Sequence, residues 1–421
     1  MTPQFYCENR SALAGKLPPR SLTLVYSGNP PHKTGDEYYS FFAERNFVYL
    51  TGIDEQSLVL LIQKEEAGEW SETLFIRPPD MMKERWGGGR IKAEAAAEIS
   101  GIKEIKTSAE FENLFGKLAN SGRYDNLCID LFKHTPDKPD DDAYRMVRFA
   151  NDKFPWLKIT SIRPMMKSLR LIKKPCEIEA ARRAESITRD GVLAMMRASR
   201  PGMYEYQYKA EWDYALAQHG VISGFPPIIS AGDNNFCIHY YEYSGKTRDG
   251  DMILNDVGAV WDNMIVDVSR AWPCNGRFSE RQKLLYTCAY NTSNYMFGII
   301  RSGMPMNEVD AAAKRYNYEQ LHEEGICGSF DEVERFIWHG GAHHIGYDVH
   351  DQVSTIDEPS MPIRPGMVFC IDVGIYHEEW GIGFRLEDNC LVTEDGCENL
   401  SALIPRSIEE IEEIMKKGKG A

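Results

Sequence analysis

The stretch Arg248–Pro273, RDGDMILNDVGAVWDNMIVDVSRAWP, decides the fold. Two apolar runs flank Asp262-Asn263, a pair suited to the positive φ angles of a tight hairpin turn. If those two residues are the whole loop, Asp256 faces Ser269 across the hairpin. Asp267 then lies diagonal to Asp256 on the same face, about 7–8 Å away or less. Two carboxylates aimed into one apolar surface repel each other and lose hydration. Burying them unpaired costs several kcal/mol each, so a cation between them is the natural remedy. The alternative is a pair of solvated acids on an exposed strand face.

A second stretch, Arg364–Gly374 (RPGMVFCIDVG), follows the same pattern as Arg248–Gly258: Arg, any residue, Gly, five residues, then Asp-Val-Gly. Asp372 holds in this copy the place that Asp256 holds in the first. Upstream, Arg200-Pro-Gly-Met203 is echoed by Arg301-Ser-Gly-Met304, each between helix-like segments. A half-domain repeated about a pseudo-two-fold axis accounts for three landmarks in the same order, and each copy aims a strand of acids at a shared centre.

At 421 residues the chain is long enough for two domains with full cores. Hydrophobic content of 43% and charged content of 26% are those of an ordinary globular protein. A net charge of −15 argues against nucleic acid or an anionic membrane as partner, since both want clustered Lys and Arg. No apolar run reaches the roughly 18 residues of a membrane span. The first residues, MTPQFYCENRSALAGK, lack the apolar region of a signal peptide, and the ten cysteines are scattered with no CxxC. Together these predict a cytoplasmic protein with reduced thiols.

Residues 1–168 read as a first α/β domain. LTLVYSG (22–28), FVYLTGI (47–53), SLVLLIQ (57–63) and TLFIRPP (73–79) are predicted strands, Ile91–Ile99 a helix and Leu127–Asp130 a short strand. Trp86 lies in ERWGGGR (84–90), where three glycines predict a loop. An exposed indole there could cap a binding cleft; the alternative is an indole packed on its own domain. From residue 169 to the end, helices are predicted over 175–198, 204–219, 279–300 and 307–324, with a charged helix at the tail.

FIWHGGAHHIGYDVHDQ (336–352) gathers His339, His343, His344 and His350, four of the ten histidines within twelve residues. Imidazole is the commonest side-chain metal ligand and carries protons near neutral pH. Downstream, GIGFRLEDNCLV (381–392) places Arg385, Glu387 and Asp388 between apolar residues, and Glu387 follows Asp372 as Asp267 follows Asp256. Four carboxylates and an imidazole form an oxygen-rich set that suits Mn(II), Fe(II), Co(II) or Zn(II), and two ions better than one. Arg385 points to the same strand face as Glu387, where it orients the acids or meets a substrate carboxylate or carbonyl.

These residues carry a resemblance. Over residues 170–410 the chain resembles the pita-bread metallopeptidase fold shared by methionine aminopeptidase, prolidase, aminopeptidase P and creatinase. Besides the hairpin acids, the likeness includes LRLIKKPCEIEAARRA (169–184), CIHYYE (237–242), HHIGYDVHD (343–351) and GFRLEDNCLVTEDGCENLS (383–401). FVYLTGI and RWGGGRIKAEAAAEI resemble the N-terminal domain of aminopeptidase P and prolidase. The resemblance implies an α/β (α+β) chain: a creatinase/prolidase-type α/β domain over 1–168 for oligomerisation and cleft-capping, then a pita-bread catalytic domain over 169–421.

It further implies an Xaa-Pro aminopeptidase that acts on peptides with a penultimate proline, and a homodimer or homotetramer. Two divalent ions, Mn(II) ahead of Zn, Co or Fe, would be held by Asp256, Asp267, His343, Asp372 and Glu387. His239 would steady the tetrahedral intermediate, and Asp372 would serve as general base. His339, His350 and Arg385 would line the pocket, with Tyr376 near the substrate. Trp86 would reach a neighbouring subunit's active site. The family usually carries Glu-Pro-Gly where this chain has Asp372-Val373-Gly374. Aspartate is one methylene shorter, and a group misplaced by about 1 Å can lose about 100-fold in rate. Two other readings stay open: a prolidase restricted to dipeptides, and a pita-bread module that binds peptides without cleaving them.

Overall fold

The computed structural model describes residues 1–351 and 360–418. The chain divides into two compact units, Met1–Arg170 and Leu171–Ala421. Among the described residues no helix is long and apolar enough to cross a membrane.

The first unit is built on a mixed six-stranded sheet. Its strands run, edge to edge, Ile105–Thr107, Trp70–Ile76, Val59–Lys64, Ser21–Tyr26, Asn126–Ile129 and Lys158–Ser161. Leu22, Leu24, Leu61, Phe75, Leu127 and Ile129 form its apolar centre. The strand expected over 47–53 is instead the helix Arg45–Thr51, in which every residue is buried. An apolar run this short has no polar face to reveal a helical period, so sequence alone cannot separate helix from buried strand. Gly52 closes the helix in the left-handed conformation (φ +72), where a Cβ would strike the Tyr6 ring at 2.3 Å. The loop expected around Trp86 begins as a short helix, Met81–Gly87, capped by Asp80. Trp86 is 89% exposed, so it is not the packed indole of the alternative reading.

The second unit repeats one half-domain. The helices Pro175–Ala198 and Glu205–Gln218 lead into strands Ile228–Ala231, Met252–Val257 and Val268–Pro273. The helices Glu280–Ile299 and Met306–Glu323 lead into strands Ala342–His344, Val368–His377 and Ile382–Val392. In both halves the middle strand pairs antiparallel with the other two. Local chemistry explains the helix ends. Pro175 occupies the first turn of its helix, where a missing N–H costs nothing. Ser279 caps the next half's first helix by accepting from Gln282 N at 3.3 Å. Gly191 lets Trp212 lie on the helix backbone, since a Cβ there would sit 2.3 Å from the indole.

The hairpin forms as its sequence predicts. Asp262 and Asn263 take φ of 46° and 71°, the positive pair of a primed two-residue turn. Asp256 pairs with Ser269. Arg270 then locks the two halves together. Its guanidinium donates to the Asp388 carboxylate at 2.7 Å and to the Glu387 carbonyl at 2.7 Å, with Arg270 and Asp388 both fully buried. Removing one partner of a buried pair leaves an uncompensated charge, which costs about 3–5 kcal/mol. Arg270→Met is therefore expected to destabilise the second unit by about 3–5 kcal/mol, read as a lowered denaturant midpoint. An unchanged midpoint would mean that Arg406, 3.0 Å from the other Asp388 oxygen, suffices alone.

Candidate active site

The site forms where the central strands of the two halves meet. Asp256 projects from the 252–257 strand, Asp372 from the 368–377 strand and Glu387 from the 382–392 strand, while His343 stands on the short 342–344 strand. Asp372 lies directly across from Glu387, whereas its sequence counterpart Asp256 lies across from Ser269. The two halves thus match strand for strand but place their second acids differently: Glu387 stands opposite its partner and Asp267 diagonal to it.

His343 Nε2 lies 3.1 Å from Glu387 Oε1 and 3.7 Å from Asp267 Oδ2. Ser269 Oγ donates to Glu387 Oε2 at 3.0 Å. One ligand atom each from Asp267, His343, Cys370 and Glu387 falls within 4.8 Å of the others. Asp256, Asp267 and Asp372 each keep one buried carboxylate oxygen, Oδ1, with no hydrogen-bond partner. Buried acceptors are almost always satisfied, so these three oxygens leave places for a proton, a water or a cation. Carboxylate oxygens with an imidazole are the donor set of Mn(II), Zn(II), Co(II) or Fe(II), so these residues fit divalent ions.

The electrostatics agree. Burial, then the charge of Asp372, pushes Glu387 up to about 7 despite its bond to His343. Burial and the nearby Asp256 and Glu387 carboxylates drive Asp267 well above the carboxylate range. Burial would raise Asp372 too, but the charge and hydrogen bond of His339 outweigh it and hold this carboxyl below its usual value. Burial opposes protonation of His343, yet Glu387 prevails and its pKa rises.

A second set of polar groups links the outer acids. Arg385 Nη2 donates to Asp256 Oδ2 at 2.9 Å, and its Nη1 to the Tyr376 hydroxyl at 3.1 Å. That hydroxyl lies 3.1 Å from His339 Nε2, and His339 Nδ1 lies 3.1 Å from Asp372 Oδ2. The path from Asp256 to Asp372 is unbroken. Gly374 makes room for it, since a Cβ there would sit 2.3 Å from His339 Nε2. Trp338 stacks on Tyr376 with centroids 4.5 Å apart.

Of the remaining histidines, His350 is exposed and lies edge-on to His343 at 4.7 Å. Burial, then His343 and His239, lowers its pKa. His239 is exposed beside Tyr241, ring centroids 6.4 Å apart. His344 alternates to the opposite strand face and is held near 4 by burial and then Lys173. Trp86 belongs to the first unit. Sequence reasoning gave no role in the site to three neighbours: Cys370, Trp338 and Ser269, the last placed only as the residue facing Asp256. Cys370 had a legible signal, since it precedes Asp372 by two residues and so shares its strand face.

Residues 179–394 match the profile of metallopeptidase family M24, and residues 6–127 that of the aminopeptidase P N-terminal domain. The chain is 29% identical to the Xaa-Pro aminopeptidase of Escherichia coli over 436 aligned residues, covering 98% of this chain and 97% of that one. It is 28% identical to human Xaa-Pro aminopeptidase 3, covering 93% and 80%. The structure of E. coli aminopeptidase P with the inhibitor Pro-Leu superposes with a TM-score of 0.91 at 28% identity, covering all of both chains. The zinc-substituted E. coli enzyme with product gives 0.90 at 29% identity, covering 99% of each.

A pH prediction follows from Glu387. In the unfolded chain it ionises at its ordinary value, and in the metal-free fold only near 7, so the fold loses stability as pH rises through that window. Metal-free Glu387→Gln carries no such penalty. Its melting temperature relative to the chelated parent is expected to climb between about pH 5 and pH 7.5. A difference that stays flat over that range would show that Glu387 ionises freely.

Proposed function

The chain belongs to metallopeptidase family M24, and from that premise we propose that it is an Xaa-Pro aminopeptidase. It hydrolyses the peptide bond between an N-terminal residue and a penultimate proline. One observation carries this reading: ligand atoms of Asp267, His343 and Glu387 lie within 4.8 Å of one another, the charges of Asp256 and Asp372 act on them, and one oxygen each of Asp256, Asp267 and Asp372 is unsatisfied. The full-length likeness to relatives named Xaa-Pro aminopeptidase sets the substrate class.

In this reading Asp256, Asp267, His343, Asp372 and Glu387 hold two divalent ions, with Mn(II) favoured by the oxygen-rich set. Bound there, the ions supply Lewis-acid charge at the scissile carbonyl and activation of the attacking water. Asp372 handles the proton, with His339 fixing its carboxylate at 3.1 Å. His239 donates to the oxyanion as it forms. Arg385 keeps Asp256 in place and, with Tyr376, His339 and His350, lines the pocket. The excess of carboxylates favours the free amine of the peptide, which limits cleavage to the N-terminus. The chain works as a cytoplasmic homo-oligomer, dimer or tetramer, in which the exposed Trp86 indole caps a neighbouring subunit's cleft.

The test is hydrolysis of Xaa-Pro tripeptides and dipeptides with added Mn(II). Tripeptides are expected to be cleaved at least as well as dipeptides, and a strict preference for dipeptides would reassign the chain as a prolidase. Outer-shell changes at metal sites cost about 10–100-fold, so Asp267→Ala, a loss within the ligand set, is expected to lower kcat/KM by more than about 100-fold. Full activity in Asp267→Ala would reject the assignment.

A further inference from the structure

Asp267 stands where its strand is interrupted. Met264–Ile265 pairs with Val260–Trp261 and pairing resumes at Val268; between them the Val266 N–H still reaches the Ala259 carbonyl at 3.4 Å, and Asp267 is left outside both ladders. Opposite lies Gly258, where a Cβ would meet the Val266 carbonyl oxygen at 1.6 Å. The two hairpin arms approach closely there, and only glycine fits. Among the described residues the backbone of Asp267 has no main-chain partner.

A side chain takes that place. Asn389 Nδ2 donates to the Asp267 carbonyl oxygen at 2.6 Å, and the Asp267 N–H donates to Asn389 Oδ1 at 3.4 Å. The reverse orientation of the amide would set donor against donor and acceptor against acceptor. Asn389 is itself fixed. Its backbone N–H donates to Ser401 Oγ at 2.9 Å, and that hydroxyl donates to Glu185 Oε1 at 2.7 Å. Cys370 Sγ, from the neighbouring strand, reaches Asn389 Oδ1 at 3.7 Å. Asn389, Ser401 and Glu185 are all fully buried. A run of hydrogen bonds therefore extends from the helix Pro175–Ala198 to the backbone of one acid of the site.

We infer that Asn389 is a positioning residue: its amide substitutes for the missing strand partner, fixes the Asp267 backbone, and thereby sets the affinity of the site for divalent ions. Without the clamp the carboxylate is carried by a residue whose own backbone makes no main-chain bond, and its aim relative to His343 and Glu387 is no longer held. The inference rests on the reading of Asp267 as a metal ligand. A purely structural role for Asn389 would lower the melting temperature and leave metal affinity alone.

The experiment is calorimetric titration of the chelator-stripped, full-length protein with Mn(II). Asn389→Leu keeps the branched heavy-atom skeleton and removes the amide; Ser401→Ala removes only the hydroxyl that steadies it. Asn389→Leu is expected to bind Mn(II) about 10–100-fold more weakly than the parent, and Ser401→Ala less so. A fall in kcat with KM held would accompany the loss. Folded variants that bind Mn(II) as tightly as the parent would overturn the inference, and if Asn389→Leu does not fold, Ser401→Ala decides alone. A parent that takes up no Mn(II) would instead remove the metal reading of Asp267, and the inference with it.

Discussion

The repulsion among Asp256, Asp267, Asp372 and Glu387 is the constraint that the second unit is built to withstand. One buried guanidinium, Arg385, faces four carboxylates, and it pairs directly with Asp256 alone. Left to themselves, acids in such a place take up protons rather than share the charge, and Asp267 and Glu387 do so in the metal-free fold. A protein that gathers acids this tightly gives up stability and gains a donor set that suits cations. The rest of the unit makes that loss tolerable: two packed helix pairs, and a core that runs from Met195 and Trp212 to Phe369 and Phe384.

Asp388 shows the contrast within one strand. It is as buried as Glu387 beside it, but Arg270 and Arg406 sit at 2.7 and 3.0 Å, and its pKa falls because those charges outweigh burial. Neighbouring acids on opposite strand faces thus have opposite fates. Asp388 is neutralised by the protein and serves cohesion between the halves. Glu387 is left for something the chain does not itself supply. Alternation along an extended strand makes the two roles possible without a change of backbone.

Much of this was legible in the chain. Asp262-Asn263 dictates a turn, the turn dictates the register, and the register sets Asp256 and Asp267 on one face, because strand geometry leaves no freedom once the loop is fixed. The duplicated Arg-x-Gly and Asp-Val-Gly landmarks carried the second half in the same way. What stayed hidden depends on contacts between distant segments. Ser269 bonds to Glu387, and Asn389 to Asp267, across more than a hundred residues. Neither Ser nor Asn has a residue type that announces such a role. The strand expected over 47–53 fails for a different reason: the short helix Arg45–Thr51, buried on all sides, shows no periodicity at all.

The duplication also explains why the departure at Asp372 is not an isolated loss of reach. In the first half the acid diagonal to Asp256 sits just outside the ladder, and Ser269 occupies the directly opposing place. In the second half Glu387 fills that opposing place, so Asp372 has a carboxylate straight across the ladder from it. A cross-strand pair is the closest approach two side chains make in a sheet. The extra methylene of Glu387 therefore extends from the very position where the shorter Asp372 needs company. His339 takes up Asp372 Oδ2 from the other side and leaves Oδ1 unsatisfied. At this strand position Asp372 has two neighbours, one acid set by register and one base given room by Gly374. A longer side chain would have to find its place among groups that are now packed around the shorter one.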